Sequence, residues 1–229
     1  MMKNYFIVIV LLCYALNISS SYCQNNTSGL ITYNVSLGDD KLIMENKTLR
    51  PFYIQAIKAS ENLKYELHFK DGESIFKPQK RMSVDGENID LAKAFVGCDG
   101  LIYTNYKEAL VLYEKANSKD NVVLKKDDIP NWKLINEKKY IHGYECYKAE
   151  AVLKVINEAK SFNFKIIAWY TPQIPLPYGP KGYFGLPGLI LELQERNVSF
   201  GLSEIKYGTN NTIKIDKPKG KVVSLSDYN

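Results

Sequence analysis

Histidine is scarce in this sequence: His68 and His142 are the only two among 229 residues, and cysteine numbers only four. Little is therefore on hand for acid–base or thiol chemistry near neutral pH. No Gly-x-Ser-x-Gly elbow, His-Glu-x-x-His pair, glycine-rich phosphate loop or calcium-loop spacing occurs, and no metal-ligand spacing or cofactor motif takes their place. Long apolar runs are also missing. The longest, Tyr5 to Leu16, is too short to span a bilayer, so no transmembrane span is expected after it. Charge is nearly balanced, with 30 Lys and Arg against 25 Asp and Glu and a formal net charge of +5. The densest basic stretch, Lys77 to Arg81, holds three cations around Pro78 and Gln79. It is too short and too poor in stacking aromatics for a nucleic-acid tract, and it reads as a solvated turn.

The run from Tyr5 to Leu16, with Lys3 before it and small polar residues from Asn17 to Cys23 after it, has the make-up of a signal peptide over residues 1–23. Cleavage is expected after Cys23 or Ser21. A lipid anchor on Cys23 wants a small residue before the cysteine, and Tyr22 stands there. Residues 24–229 then form one domain, of a size that suits a single β-rich core. Cys98 and Cys146 are the two cysteines clear of the signal, and in an oxidising compartment their simplest state is a disulfide. The competing use of Cys146, with His142 as base or metal partner, lacks a visible activating environment.

From Gly29 onward the hydrophobic period is that of strands. Ile31, Tyr33, Val35 and Leu37 alternate with polar residues, as do Tyr65, Leu67 and Phe69 before the tight-turn pair Asp71-Gly72. Phe52, Tyr53, Ala56 and Ile57 suggest a short amphipathic helix from Pro51, and residues 89–96 a helical turn. Leu101 to Tyr106 and Val111 to Glu114 return to strand, and residues 117–131 read as a polar connection. Tyr144 to Val155 and Phe162 to Tyr170 form a long hairpin. Further strands are expected at Leu189 to Leu193, Val198 to Lys206 and Thr212 to Ile215, with a frayed tail from Lys217. The fold class is mainly β: a single, strongly twisted antiparallel sheet of about eight to eleven strands, curled towards a half-barrel, with one or two short helices.

The long hairpin leads into a stretch of unusual make-up. Residues 169–188 contain five prolines, four glycines and five aromatics around a single charge, Lys181. Proline fixes its own φ and extends the residue before it, so Thr171 to Pro177 is preset as a stiff, irregular rod. Its apolar character argues against disorder. Trp169, Tyr170, Tyr178, Tyr183 and Phe184 are expected to pin it.

Gly185-Leu186-Pro187-Gly188-Leu189-Ile190 closes the stretch, and with it the chain resembles the GLPGLI family of exported proteins from Bacteroidetes-type bacteria. Other stations agree: Gly29 to Tyr33, Leu67 and Phe69, Ser74 and Phe76, Trp132, Gly143 to Ala149, Ala168 to Thr171, Ile174-Pro175 and Gly179-Pro180. The resemblance implies export, with a periplasmic or outer-membrane-associated location, and implies no particular reaction.

Three functional readings follow. A non-enzymatic envelope protein binds an apolar or peptide-like ligand on a concave β surface, with the loop as lid. Alternatively, an interaction module docks on an outer-membrane transporter or other envelope protein through the loop. In both cases Trp169, Tyr170, Pro175, Tyr178, Gly179, Pro180, Tyr183, Phe184, Gly185, Leu186, Pro187 and Gly188 form the ligand or partner loop. An enzyme is the third reading, and the carboxylates Glu145, Glu150, Glu192 and Glu204 on neighbouring strands are its only candidates; charged residues of this kind are usually solvated. The first two differ in whether the loop's aromatics point inward or outward.

Overall fold

A computed structural model of the chain describes residues 28–80, 88–116, 122–126, 129–156, 161–208 and 213–228. Residues 1–23, expected to be a signal peptide, lie outside the described residues. Among the described residues, no helix is long and apolar enough to cross a membrane.

The alternation read from the sequence produces one large open sheet. Its strands are β1 (Gly29–Leu37), β2 (Lys64–Lys70), β3 (Glu73–Pro78), β4 (Leu101–Asn105), β5 (Leu110–Glu114), β6 (Val122–Lys126), β7 (Lys133–Ile141), β8 (Tyr144–Ile156), β9 (Ser161–Thr171), β10 (Leu189–Glu195), β11 (Val198–Tyr207) and β12 (Lys221–Ser224). The spatial order is β12-β6-β5-β4-β3-β2-β1-β11-β10-β9-β8-β7. Every neighbouring pair is antiparallel except β12 and β6, which run parallel. The two-residue turns are specified locally. Asp71-Gly72 and His142-Gly143 both have positive φ at each residue, the backbone a tight hairpin requires.

Ring contacts show that one face is concave. Phe76 on β3 and Phe200 on β11 have two strands between them, yet their centroids are 5.6 Å apart. In a flat sheet the three intervening gaps amount to roughly 14 Å. The inner face carries Ile31, Tyr33, Val35, Tyr65, Leu67, Phe69, Phe76 and Phe200, all buried. Two of the short helices, α1 (Lys41–Glu45) and α2 (Arg50–Ser60), follow β1, and α3 (Ile89–Val96) precedes β4. Asn88 caps α3 by accepting from Leu91 N, and Gly97 ends it with φ 68°. Helices α2 and α3 pack on each other through Tyr53 and Phe95, 5.0 Å between centroids. Tyr65 on the inner face donates to Cys98 O beyond α3 at 2.6 Å.

Four expectations need correction. The connection at 117–131 contains β6, because Val122 to Leu124 is apolar enough to pair with β5 once Lys126 has an acceptor of its own. The tail is not frayed: β12 and a final helical turn, α4 (Leu225–Tyr228), lie within it, whereas 213–215 forms no strand. Instead Ile215 covers a second, smaller cluster of Ile75, Tyr103, Leu112 and Val123 on the outer face. The sheet thus has twelve strands and one parallel pair, where eight to eleven antiparallel strands were expected. Finally, Phe52 is exposed, and α2 buries Tyr53, Ala56, Ala59 and Ser60 instead.

Candidate functional site

The proline-rich loop leaves β9 at Thr171 and returns to β10 at Leu189, having crossed the concave face to β4, β5 and β6. From Ile174 to Tyr178 it alternates. Ile174, Leu176 and Tyr178 are buried while Pro172, Gln173 and Pro175 are exposed. The backbone finds partners in the loop itself and in β10: Leu189 N donates to Ile174 O at 3.0 Å and Ile190 N to Tyr178 O at 2.9 Å. Tyr178 and Phe184 form an isolated β-bridge. Tyr178 packs against Phe69 and Tyr106, with centroids 5.7 and 5.5 Å away. Beyond it, Gly179, Pro180, Tyr183, Phe184, Leu186 and Gly188 are buried, and only Gly185 and Pro187 are exposed. Trp132 ties this half to the sheet by donating its indole N–H to Phe184 O at 2.8 Å.

The loop's one charge accounts for its tip. Lys181 sits in a 3-10 turn, Pro180–Gly182, with φ 54°, an uncommon backbone for a residue other than glycine. Its ammonium is buried and donates to Glu195 Oε1 at 2.7 Å and to Val96 O at 3.4 Å. The second carboxylate oxygen accepts from Tyr183 O–H at 2.7 Å. Lys126 on β6 then donates to Lys181 O at 3.1 Å and lies 5.5 Å from the Tyr183 ring centroid. Burial alone raises the Glu195 carboxyl, but Lys181 and Lys126 outweigh it and hold it below the ordinary carboxylate value. The Lys126 ammonium is lowered by burial and by the nearby charge of Lys181. Both carboxylate oxygens are occupied, so this buried pair acts as a lock on the loop's position rather than as an acid–base couple.

Glu195 was not among the candidates read from the sequence. A lone cation in an apolar loop must find a counter-ion, and Glu195 follows Leu193 at strand spacing on the inward face of β10. Those two facts together were the available signal. Trp169, conversely, does not pin the loop. It pairs across with Lys148 and Glu192, on the opposite face from Tyr170. There Lys139 lies 4.4 Å above its ring and bonds both Glu192 oxygens at 2.8 and 2.9 Å.

The sequence-read carboxylates do not converge. Glu145 stands with Lys138, Glu150 with Lys148 and Lys165, Glu192 with Lys139, and Glu204 with Lys206. His142 and Cys146 do not pair either, since His142 Nε2 engages Leu202 O at 2.9 Å.

Cys98 and Cys146 are both free and both buried, which corrects the expected disulfide. Six strands lie between β4, which follows Cys98, and β8, which carries Cys146. Their charged neighbours differ as well: Lys181, Lys126, Asp99 and Glu195 for one, Lys139 and Glu192 for the other. Burial pushes the thiols up to about 12 and about 11, so neither is a ready nucleophile. Alkylation of the native protein at pH 8 without reductant is therefore expected to leave both unlabelled, and alkylation after denaturation to label both. A Cys98–Cys146 peptide in the unreduced digest would refute this.

Comparison with known proteins adds to the fold more than to the chemistry. Residues 154–192, from β8 through the loop into β10, match the model of a family described as a protein of unknown function, Porph_ging. A crystal structure of PNGF-II in space group C2 is similar at TM-score 0.51 and 15% identity, over 88% of this chain and 32% of that one. A second, in space group P21, gives 0.49 and 16% over 89% and 32%. This chain thus spans about a third of the solved chains it resembles, and at this identity the likeness is one of fold. No curated protein matches the sequence.

Proposed function

We propose that the chain is a non-enzymatic, GLPGLI-type exported envelope protein that binds an apolar, peptide-like ligand on the part of its concave face that the loop leaves open. The observation that carries this reading is a strip of exposed aromatic and aliphatic side chains around the Lys138–Glu145 ion pair, beside the loop at the β7 edge. Tyr147 shares the inner face with Tyr170, its cross-strand partner, 6.2 Å away between ring centroids. Lys138 pairs with Tyr147 and Leu134 with Ala149, which places Leu134, Lys138 and Tyr140 on that face too. Yet Tyr140 is 72% and Leu134 58% exposed. Among the described residues β7 ends the sheet, which leaves its outer backbone edge available to an added strand. An extended peptide could gain main-chain hydrogen bonds there while its apolar side chains meet Leu134, Tyr140 and Tyr147.

Docking on an outer-membrane transporter through the loop is less well supported. Tyr178, Tyr183 and Phe184 are turned into the core and present nothing to a partner. The loop acts as a fixed plug that narrows the concave face and defines one wall of the binding strip.

Fluorescence polarisation with a panel of labelled, apolar, extended peptides tests the proposal. The wild type is expected to bind a subset saturably. Y140S/Y147S should weaken that binding at least tenfold, about 1.4 kcal/mol, with an unchanged melting temperature. Equal binding by the double variant, or no saturable binding by the wild type, would rule the reading out.

A further inference from the structure

The last elements of the chain hold one end of the sheet in place and are themselves weakly held. After β11 the chain is still beside β1, where Gly208 N donates to Ser28 O at 3.0 Å. It reaches β12 at the far edge of the sheet, and Ile215 marks its path by packing over Ile75, Tyr103, Leu112 and Val123 on the outer face of β3 to β6. There β12 runs parallel to β6, from the Lys221–Val122 pair to the Ser224–Lys125 pair. Helix α4 lies against both strands, and Lys115 Nζ stands 4.8 Å from the Tyr228 ring centroid. Yet none of the described side chains in residues 213–228 is buried. A segment with so few buried apolar contacts opens at a lower free energy than the core strands do.

Strand β6 depends on this segment. Among the described residues its other side meets β5 only through Val111–Lys126, Leu112–Lys125 and Tyr113–Leu124. So short a ladder on one side alone is marginal in water. The last residue of β6 is also the one that reaches the plug: Lys126 Nζ donates to Lys181 O at 3.1 Å and lies 5.5 Å from the Tyr183 ring centroid. The tip's other holds, from Lys181 to Glu195 Oε1 and to Val96 O, do not pass through β6. Beneath the tip, Gly182 backs closely onto Ile102, Thr104 and Val111 of β4 and β5. Thr104 Oγ1 is buried there without a hydrogen-bond partner, so the seated tip carries a cost that its movement relieves.

We propose that residues 213–228 are a latch on the plug. While β12 is seated, β6 keeps Lys126 against the loop tip. When β12 lifts, β6 loses its longer ladder, Lys126 leaves the tip, and the concave face beside β4 and β5 opens. The tip keeps Glu195 and Val96 O, so it loosens and does not leave the sheet. This latch goes beyond the peptide-binding reading and does not depend on it.

Hydrogen exchange of the full chain, read by mass spectrometry of its peptides, tests the latch. Successive N–H groups of a strand point to opposite sides, so V222P/V223P must remove a β12 donor to β6, and neither valine is buried. In this variant the amides of residues 122–126 and 181–184 are expected to exchange at least about tenfold faster, while those of the β8–β9 hairpin keep their wild-type rates. K126M should speed exchange at 181–184 and leave 221–224 unchanged, which fixes the order of the chain of contacts. Wild-type exchange at 181–184 in either variant would overturn the proposal. So would faster exchange throughout the sheet in V222P/V223P, since the segment would then support the whole fold, and so would β12 amides as slow as those of β1 in the wild type. None of these measurements uses a ligand, so failure of the latch and failure of peptide binding are separate results.

Discussion

Gly188→Val is expected to cost about 3 kcal/mol or more and to lower the melting temperature by roughly 6–12 °C. Two independent facts demand glycine here. Its φ of +151° lies in a region that side chains disfavour, and an added Cβ would fall 2.1 Å from Thr171 O and 2.6 Å from Thr171 C. Those are backbone atoms at the loop's own entry, so no flexible side chain can yield. Gly185 separates the two effects. Its φ is +92°, but nothing lies within 4 Å of the position a Cβ would take. Gly185→Val should therefore cost only the backbone term, about 1–2 kcal/mol. Thermal melting of both variants decides the matter, and equal losses would show that close approach at Gly188 is not what the motif's second glycine serves. Phe184→Ala, at a buried ring, should melt early in the same experiment, and a wild-type melting temperature there would contradict the plug.

Lys181→Met should be nearly as damaging. Removing one partner of a buried ion pair leaves an uncompensated charge, at a cost of about 3–5 kcal/mol. Here the orphan is Glu195, which keeps Tyr183 and the more distant Lys126 but loses its shortest ionic contact, 2.7 Å. Replacing both partners, as in K181M/E195M, removes the orphaned carboxylate and should restore part of the loss, the remainder being the cost of leaving Lys126 without its carboxylate neighbour. The pH dependence carries a definite sign. In the wild type the carboxyl lies below its ordinary 4.5, so its contribution is present above that value and disappears as pH falls through the lower folded value. In Lys181→Met the balance shifts towards burial, which raises the carboxyl, and protonation relieves the buried charge. The stability gap between wild type and variant is thus largest near pH 7 and narrows on acidification, as urea melts at several pH values would show. A gap that widens towards acid would refute this assignment of the lock.

How far the candidate site was legible depends on the range of the interaction. That the loop is stiff followed from its prolines, but the sequence left open whether its side chains turn inward or outward, and the sheet beneath decided it by burying Ile174, Leu176 and Tyr178. Trp169 was misplaced because an aromatic next to the loop looked like an anchor, whereas strand alternation put it on the outer face beneath Lys139. Glu195 went unnoticed because its partner is fourteen residues away, behind a turn whose path no local rule predicts. The cysteines misled for a related reason. Their count suggested a bond, but pairing needs proximity, and the strand order decides that.

The sequence by itself determined the strands with clear alternation, β1, β2 and the β8–β9 pair among them, the tight turn at Asp71-Gly72, and the stiffness of the loop. Each of these rests on period-two burial, positive-φ glycine or the locked φ of proline, which act within a few residues. The tertiary structure alone decided that the tail returns as β12 beside β6, that Lys181 meets Glu195 beneath the plug, and that Cys98 and Cys146 stay apart. These depend on the order and curvature of twelve strands, and order and curvature arise from contacts between residues distant in the chain, whose free energies no local pattern encodes.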